Sequence, residues 1–179
     1  QLALVDSGYL QNVVLEFCAQ TDAFVPIKGI PDAQKSATFV EFKISATKMG
    51  INAFNVNVNF YKDRWYGSLK RPWDENGMQP EYCFNAPVDT TEKQLKELTM
   101  ETRVEDINPV TGHLRGFKWH RPSGADNELW DLLVYNNAAI DIMAWDLFVR
   151  RGERESVNWL EFWHYAETGN RGKPVFYSE

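Results

Sequence analysis

Two aspartates occupy places where an acid needs an explanation. Asp6 closes the apolar run LALVD (2–6), just before Ser7-Gly8. Asp131 sits among Leu129, Trp130, Leu132, Leu133 and Val134, where burying an ionised carboxylate is costly unless something offsets its charge. Asn127 lies one helical turn before Asp131, and Glu128 three residues before it, on the same side of a helix. A strand-end acid and a helix acid that meet in space offer hard oxygen ligands, a set suited to Mg²⁺ or Mn²⁺. Two such ions about 4 Å apart are the arrangement that activates water and stabilises the leaving oxygen in phosphodiester cleavage. Plainer uses compete: Asp6 as the N-cap of the next helix, Asp131 as an acid facing a solvated groove.

The surrounding pattern predicts the elements that must position them. LALVD reads as a buried strand, Tyr9 to Ala19 as a helix with Leu10, Val13, Val14, Phe17 and Cys18 on one face, and FVPI (24–27) as a second strand. Strand, helix, strand over this length is a βαβ unit with parallel strands. FVEFKI (39–44) alternates as a half-exposed strand, and residues 60–69 have helical spacing. YCFNAP (82–87) reads as a short strand. A short helix about 91–99 is expected behind Asp89 or Thr90 as N-cap. VEDI and LRGFKWH flank the NPVTG turn as strand-like segments. The helix opened by Asp126 or Asn127 is the longest, and VNWLEFWHYAE (157–167) is a further amphipathic helix. The end, TGNRGKPVFYSE, is expected to be loose.

The net charge of −6 argues against holding nucleic acid by bulk charge, but not against a local basic track. Lys62, Arg115, Lys118 and Arg121 fall in two of the three basic clusters. Cys18 and Cys83 lie in no CxxC or Cys/His cluster and read as small core residues. Apolar runs fall short of the roughly twenty residues that cross a bilayer, so no membrane is expected.

Several stretches resemble the C-terminal nuclease domain of the lambda-type (GpA-like) phage terminase large subunit. VDSGYLQNVVLEFCAQ resembles that family's strand and helix, and FVPIKG its next strand, usually ended by Lys-Gly. NFYKDRWYGSL resembles its lysine-bearing helix. EYCFNAPVDTTEKQLKELTMETRV resembles the segment ending QLTAE, and GFKWHRPSGADNELWDLLVYNNAA resembles "W…RNEALD…VYALAA". The matches keep the family's order from residue 2 to about 145.

The resemblance implies an α/β, ribonuclease H-like mixed sheet flanked by helices, here lacking its first strands, over 1–148, with 149–179 as a C-terminal helical extension and tail. It implies a metal-dependent endonuclease that cuts concatemeric double-stranded DNA during packaging in the host cytoplasm. The terminase small subunit and the portal would be its partners. Asp6, as the acid of a central strand, and Asp131, on the last helix, would be the catalytic metal ligands for two Mg²⁺ or Mn²⁺ ions. Asn127 and Glu128 would support them, and Lys62, Arg115, Lys118 and Arg121 are candidate DNA-phosphate contacts. The arginine usual before Asn-Glu is Asp126 here, with Arg121 as its substitute. A further acid would come from upstream of Gln1, and so would the motor ATPase, since the chain has no GxxxxGK(S/T) pattern.

Two other readings stand beside this one. PDAQKSATFVEFK (31–43) fits the PD-(D/E)xK pattern of restriction-type nucleases through Asp32, Glu41 and Lys43. A non-catalytic docking module would use Trp159, Phe162, Trp163 and Tyr165 against a partner.

Overall fold

The computed structural model describes residues 3–21, 23–31, 41–72 and 84–169. Asp32, residues 39 and 40, Cys83 and the 170–179 tail lie outside them.

A four-stranded mixed sheet forms the centre. Its strands are β1 (Ala3–Asp6), β2 (Phe24–Ile30), β3 (Phe42–Ala46) and β4 (Asn52–Asn57), in the order β1-β2-β4-β3. β1 and β4 both run parallel to β2, and only β3 is antiparallel. The expected βαβ unit is present, with α1 (Gln11–Cys18) as its crossover. The sequence reading placed residues 56–60 ahead of a helix but missed β4 as a whole. Asn52, Asn55 and Asn57 obscure its apolar alternation, and Asn57 then serves as N-cap of α2 (Val58–Leu69), accepting from the Phe60 N–H at 3.2 Å. Among the described residues β1 is an edge strand, whereas the resemblance implied a central one for Asp6. Residues 84–87, expected as the end of a strand, have no regular structure.

One face of the sheet carries the core. Ile27, Phe54 and Val56 pack against Tyr61 of α2 and against Val134, Ala138 and Ile142 of α4 (Glu128–Trp145). These α4 residues recur at four-residue spacing, the stripe a helix needs to cover a sheet. A π-helical turn, Asp146–Arg150, prolongs α4. The combined 23-residue helix is, by length and composition, apolar enough to cross a bilayer, against the expectation from the sequence. That apolarity is spent on packing: Trp130, Val134, Ala138, Ile142 and Ala144 are all at most 2% exposed.

The other face meets α1 with part of the predicted stripe: Cys18 is buried, and Phe17 packs its ring on Phe24 of β2, centroids 4.8 Å apart. Leu15 is also buried, whereas Leu10, Val13 and Phe17 are exposed. The chain enters α1 through Leu10 in a left-handed conformation, φ 49°.

α3 (Glu92–Thr99) is capped one residue later than expected. Thr91 and Gln94 form a reciprocal capping box, Gln94 N–H to Thr91 Oγ1 at 3.3 Å and Thr91 N–H to Gln94 Oε1 at 2.8 Å. β5 (Thr102–Ile107) and β6 (Leu114–His120) form a separate antiparallel hairpin, as the flanks of NPVTG predict. It joins the body where Trp119 Nε1 and Arg103 Nε both donate to Asp63 Oδ1 of α2, at 3.0 and 2.9 Å. α5 (Trp159–Thr168) docks on the end of α4 through Phe162, which packs with Ala144 and Phe148. Its neighbours Trp159 and Trp163 stay half exposed.

Candidate active site

Parallel strands gather ligands beyond their carboxyl ends. Here that end is bordered by Gly29 and Pro31, by Val58 and Lys62 of α2, by Glu101 just before β5, by Arg121 just after β6, and by Asn127, Asp131 and Tyr135 of the α4 N-terminal half. Together they line a cleft of about 260 Å³.

The first turn of α4 explains how Asp131 tolerates its position. Asn127 is the N-cap, yet its side chain does not bond the helix's own N–H groups. The free N–H of Leu129 is taken instead by Glu97 Oε2 of α3, at 3.3 Å. The Asn127 amide is thereby released for the cleft. Its Nδ2 donates to Glu101 Oε1 at 2.6 Å and to Asp131 Oδ2 at 3.1 Å, and its Oδ1 accepts from Arg121 Nη1. This orientation is the only one the chemistry allows, because carboxylates only accept and a guanidinium only donates.

Lys62 closes the network from α2. Its ammonium donates to both Glu101 oxygens, at 2.8 and 2.6 Å, and stands 3.7 Å from Asp131 Oδ1. The Lys62 and Glu101 side chains are 9% and 5% exposed, whereas Asp131 is 40% exposed toward the cleft. Burial raises the Asp131 pKa; Lys62 and Arg121 oppose that rise, and Glu101 and Glu128 add to it. The N-terminal end of α4 is also the favourable end for an acid. Asp131 is therefore held by a neighbouring ammonium, an amide donor and a helix terminus.

Asp6 ends β1, the strand beside β2, but is not among the residues that line the cleft. It does not cap α1; its Oδ1 accepts from the Gly8 N–H at 2.9 Å, within the tight turn after the strand. Ser7 pins that turn, giving both its N–H and its hydroxyl to the Ile27 carbonyl, each at 2.7 Å. Tyr135 lies between the two acids electrostatically. Burial first, then the charges of Asp6 and Asp131, push its phenol pKa well above the usual value, while the Gly29 N–H donating to its oxygen works the other way. Its hydroxyl therefore stays protonated.

The remaining candidates divide. Glu128 is exposed on the first turn of α4. Arg121 is at the cleft rim, tied to Asn127. Lys62 is inside the wall, paired with Glu101. Arg115 and Lys118 are exposed on β6, with Lys118 Nζ 3.2 Å from Asp106. Glu41 and Lys43 do not line the cleft. Glu41 feels instead the buried Asp141 of α4 and Arg64 of α2, which are paired at 3.1 Å.

Sequence reasoning did not single out Glu101, Tyr135 or Gly29. Glu101 was visible as the second acid of ELTMETR (97–103), and Tyr135 as the next residue in the Asn127, Asp131 series at four-residue spacing.

The carboxylates that line the cleft are Asp131 and Glu101, and Asp6 stands beside it at the end of β1. Among the described residues no cluster of three or more acidic, histidine or cysteine side chains forms a ready cation cage. A larger cavity, about 750 Å³, opens around the starts of β2 and β4. It is lined by Phe24, Ile44, Phe54, Met143 and Phe162 and contains none of the candidate catalytic, metal or DNA-phosphate residues.

The mixed sheet flanked by helices makes this an α/β protein, with a cleft at the carboxyl end of the sheet that holds two carboxylates, a lysine and an arginine. The chain belongs to the family described as terminase large subunit gpA, endonuclease domain, whose model matches residues 1–154. That membership supports a nuclease role in DNA packaging. No curated protein and no solved structure matches the chain.

Proposed function

We propose that the Asp6–Asp131 cleft is a nuclease active site that hydrolyses phosphodiester bonds of concatemeric double-stranded DNA during genome packaging. What supports the reading is the cleft at the carboxyl end of β2, where Asp131, Glu101, Asn127, Lys62 and Arg121 gather, with Asp6 at the end of the neighbouring strand β1.

In this reading Asp6 and Asp131 hold Mg²⁺ or Mn²⁺, two ions in the full site. The ions supply an activated water and charge stabilisation at the leaving oxygen. The chain's own residues do the rest. Asn127 orients Asp131 through Oδ2. Arg121, exposed at the rim, contacts a DNA phosphate while remaining linked to Asn127. Arg115 and Lys118 extend that track along the hairpin, and Glu128 supports the first turn of α4. Lys62 neutralises the wall from within. The ribonuclease H-like likeness, the small subunit and portal as partners, and the host cytoplasm as the place of action belong to the same proposal.

Substitution separates this from the restriction-type alternative. In the intact protein, Asp131→Ala is expected to abolish Mg²⁺-dependent DNA cutting, and Glu41→Ala to leave it intact. Activity lost at Glu41 and kept at Asp131 would overturn the assignment.

A further inference from the structure

Lys62 has two carboxylates within reach and bonds only one. Its ammonium lies 2.6 and 2.8 Å from Glu101 but 3.7 Å from Asp131 Oδ1, outside hydrogen-bond distance. Glu101 is the interior partner and Asp131 the cleft-facing one. At 3.7 Å the two charges form a loose ion pair, and a shift of about 1 Å would make it a hydrogen-bonded one. Such a pair would occupy the very oxygen that a cation in the cleft needs.

We infer that Glu101 is a positioning residue that holds the Lys62 ammonium off Asp131, keeping the Asp131 carboxylate open to a divalent cation. The inference rests on the proposed cation site at Asp131. Glu101 does its work with both oxygens. Oε2 and Oε1 each receive Lys62, and Oε1 also receives Asn127 Nδ2. The second bond matters because the same Nδ2 donates to Asp131 Oδ2. Glu101 therefore fixes the donor on one Asp131 oxygen and restrains the competing cation beside the other. Geometry also makes Lys62 a poor phosphate contact: its ammonium is in the wall and committed to Glu101.

The competing role for Glu101 is that of a direct metal ligand. The two roles differ in what happens when the lysine is removed. If Glu101 restrains Lys62, losing Glu101 harms cation binding only while Lys62 is present to compete. If Glu101 is a ligand, its loss harms binding whether or not the lysine remains.

The test is Mn²⁺ binding to the full chain, followed by the electron paramagnetic resonance of free Mn²⁺, with Asp131→Asn defining the Asp131-dependent component. Glu101→Gln is expected to weaken that component about tenfold or more, and Lys62→Met combined with Glu101→Gln to restore it to within about threefold of wild type. Removing both members of the buried pair leaves no unpaired charge, so the double variant also controls for folding, checked by circular dichroism. Should Glu101→Gln fail to fold, Glu101→Asp keeps the charge on a shorter arm, and the same rescue by Lys62→Met is required. Unchanged binding in a folded Glu101 variant, or a double variant as weak as the single, overturns the inference. Wild-type binding that Asp131→Asn does not alter would instead sink the cation site itself.

Discussion

Gly29 of β2 and Tyr135 of α4 meet so closely that a Cβ at residue 29 would stand 2.7 Å from the tyrosine hydroxyl oxygen. The same Cβ would stand 2.9 Å from Val58 Cγ1. Glycine here is a matter of space: it lets Tyr135 of α4 approach the sheet at β2. Gly29→Ala is expected to destabilise the fold by about 1–3 kcal/mol through overpacking. Adding Tyr135→Phe, which removes the clashing oxygen, should recover part of that loss in urea unfolding. Equal stability of wild type and Gly29→Ala would show the contact to be slack.

Breaking the Lys62–Glu101 pair from one side should cost far more than removing it whole. Lys62→Met leaves the Glu101 carboxylate buried without its cation, a change worth about 3–5 kcal/mol. The double replacement of Lys62 and Glu101 by Met and Gln should be much closer to wild type. A thermodynamic cycle from denaturant melts measures the difference, and simple additivity of the single effects would contradict the pairing.

Stability should fall as pH rises through the mildly acidic range. Asp131 and Glu41 both have raised pKa values, each first through burial, with Asp141 adding to the effect at Glu41. For an acid whose folded pKa is raised, the folded state holds its proton more tightly. Its contribution is thus fully present below the unfolded pKa, about 4 for these groups, and is lost as pH passes the folded value. Glu41→Gln and Asp131→Asn should each flatten that part of the stability profile. Asp146 has the opposite sign. Burial alone would raise it, but hydrogen bonds and charge from Arg150 and Arg151 outweigh burial and lower it. Asp146→Asn should therefore remove stability that wild type keeps above the ordinary aspartate range and loses in strong acid.

Leu10 carries a local strain that substitution can relieve. A left-handed backbone costs a non-glycine residue roughly 1–2 kcal/mol, and Leu10, at φ 49°, is exposed and buries little in return. Leu10→Asn, a residue tolerant of that region, is expected to raise the melting temperature. A fall would mean that the leucine side chain makes a contact that matters more than its backbone.

The sequence by itself determined the local elements and the donor types. Short-range rules suffice for these: alternation in β3, the Asn127-to-Asp131 turn, the NPVTG hairpin, the helix behind Thr91. It also marked Asp6 and Asp131 as acids needing a reason, and the resemblance to the gpA nuclease family was legible in motif order. What it did not show was β4, whose asparagines break the apolar pattern, or the exposure of Leu10 and Val13 around α1. Nor did it show Glu101 with Lys62, or Gly29 with Tyr135. Those pairs are 39 and 106 residues apart in sequence. Only the packing of α2 and α4 over one face of the sheet brings them together. Periodicity records which side of an element is apolar; it carries no record of which distant charge will stand across the gap. The state of Asp131 was decided there, by an ammonium held 3.7 Å away and bonded to a different carboxylate.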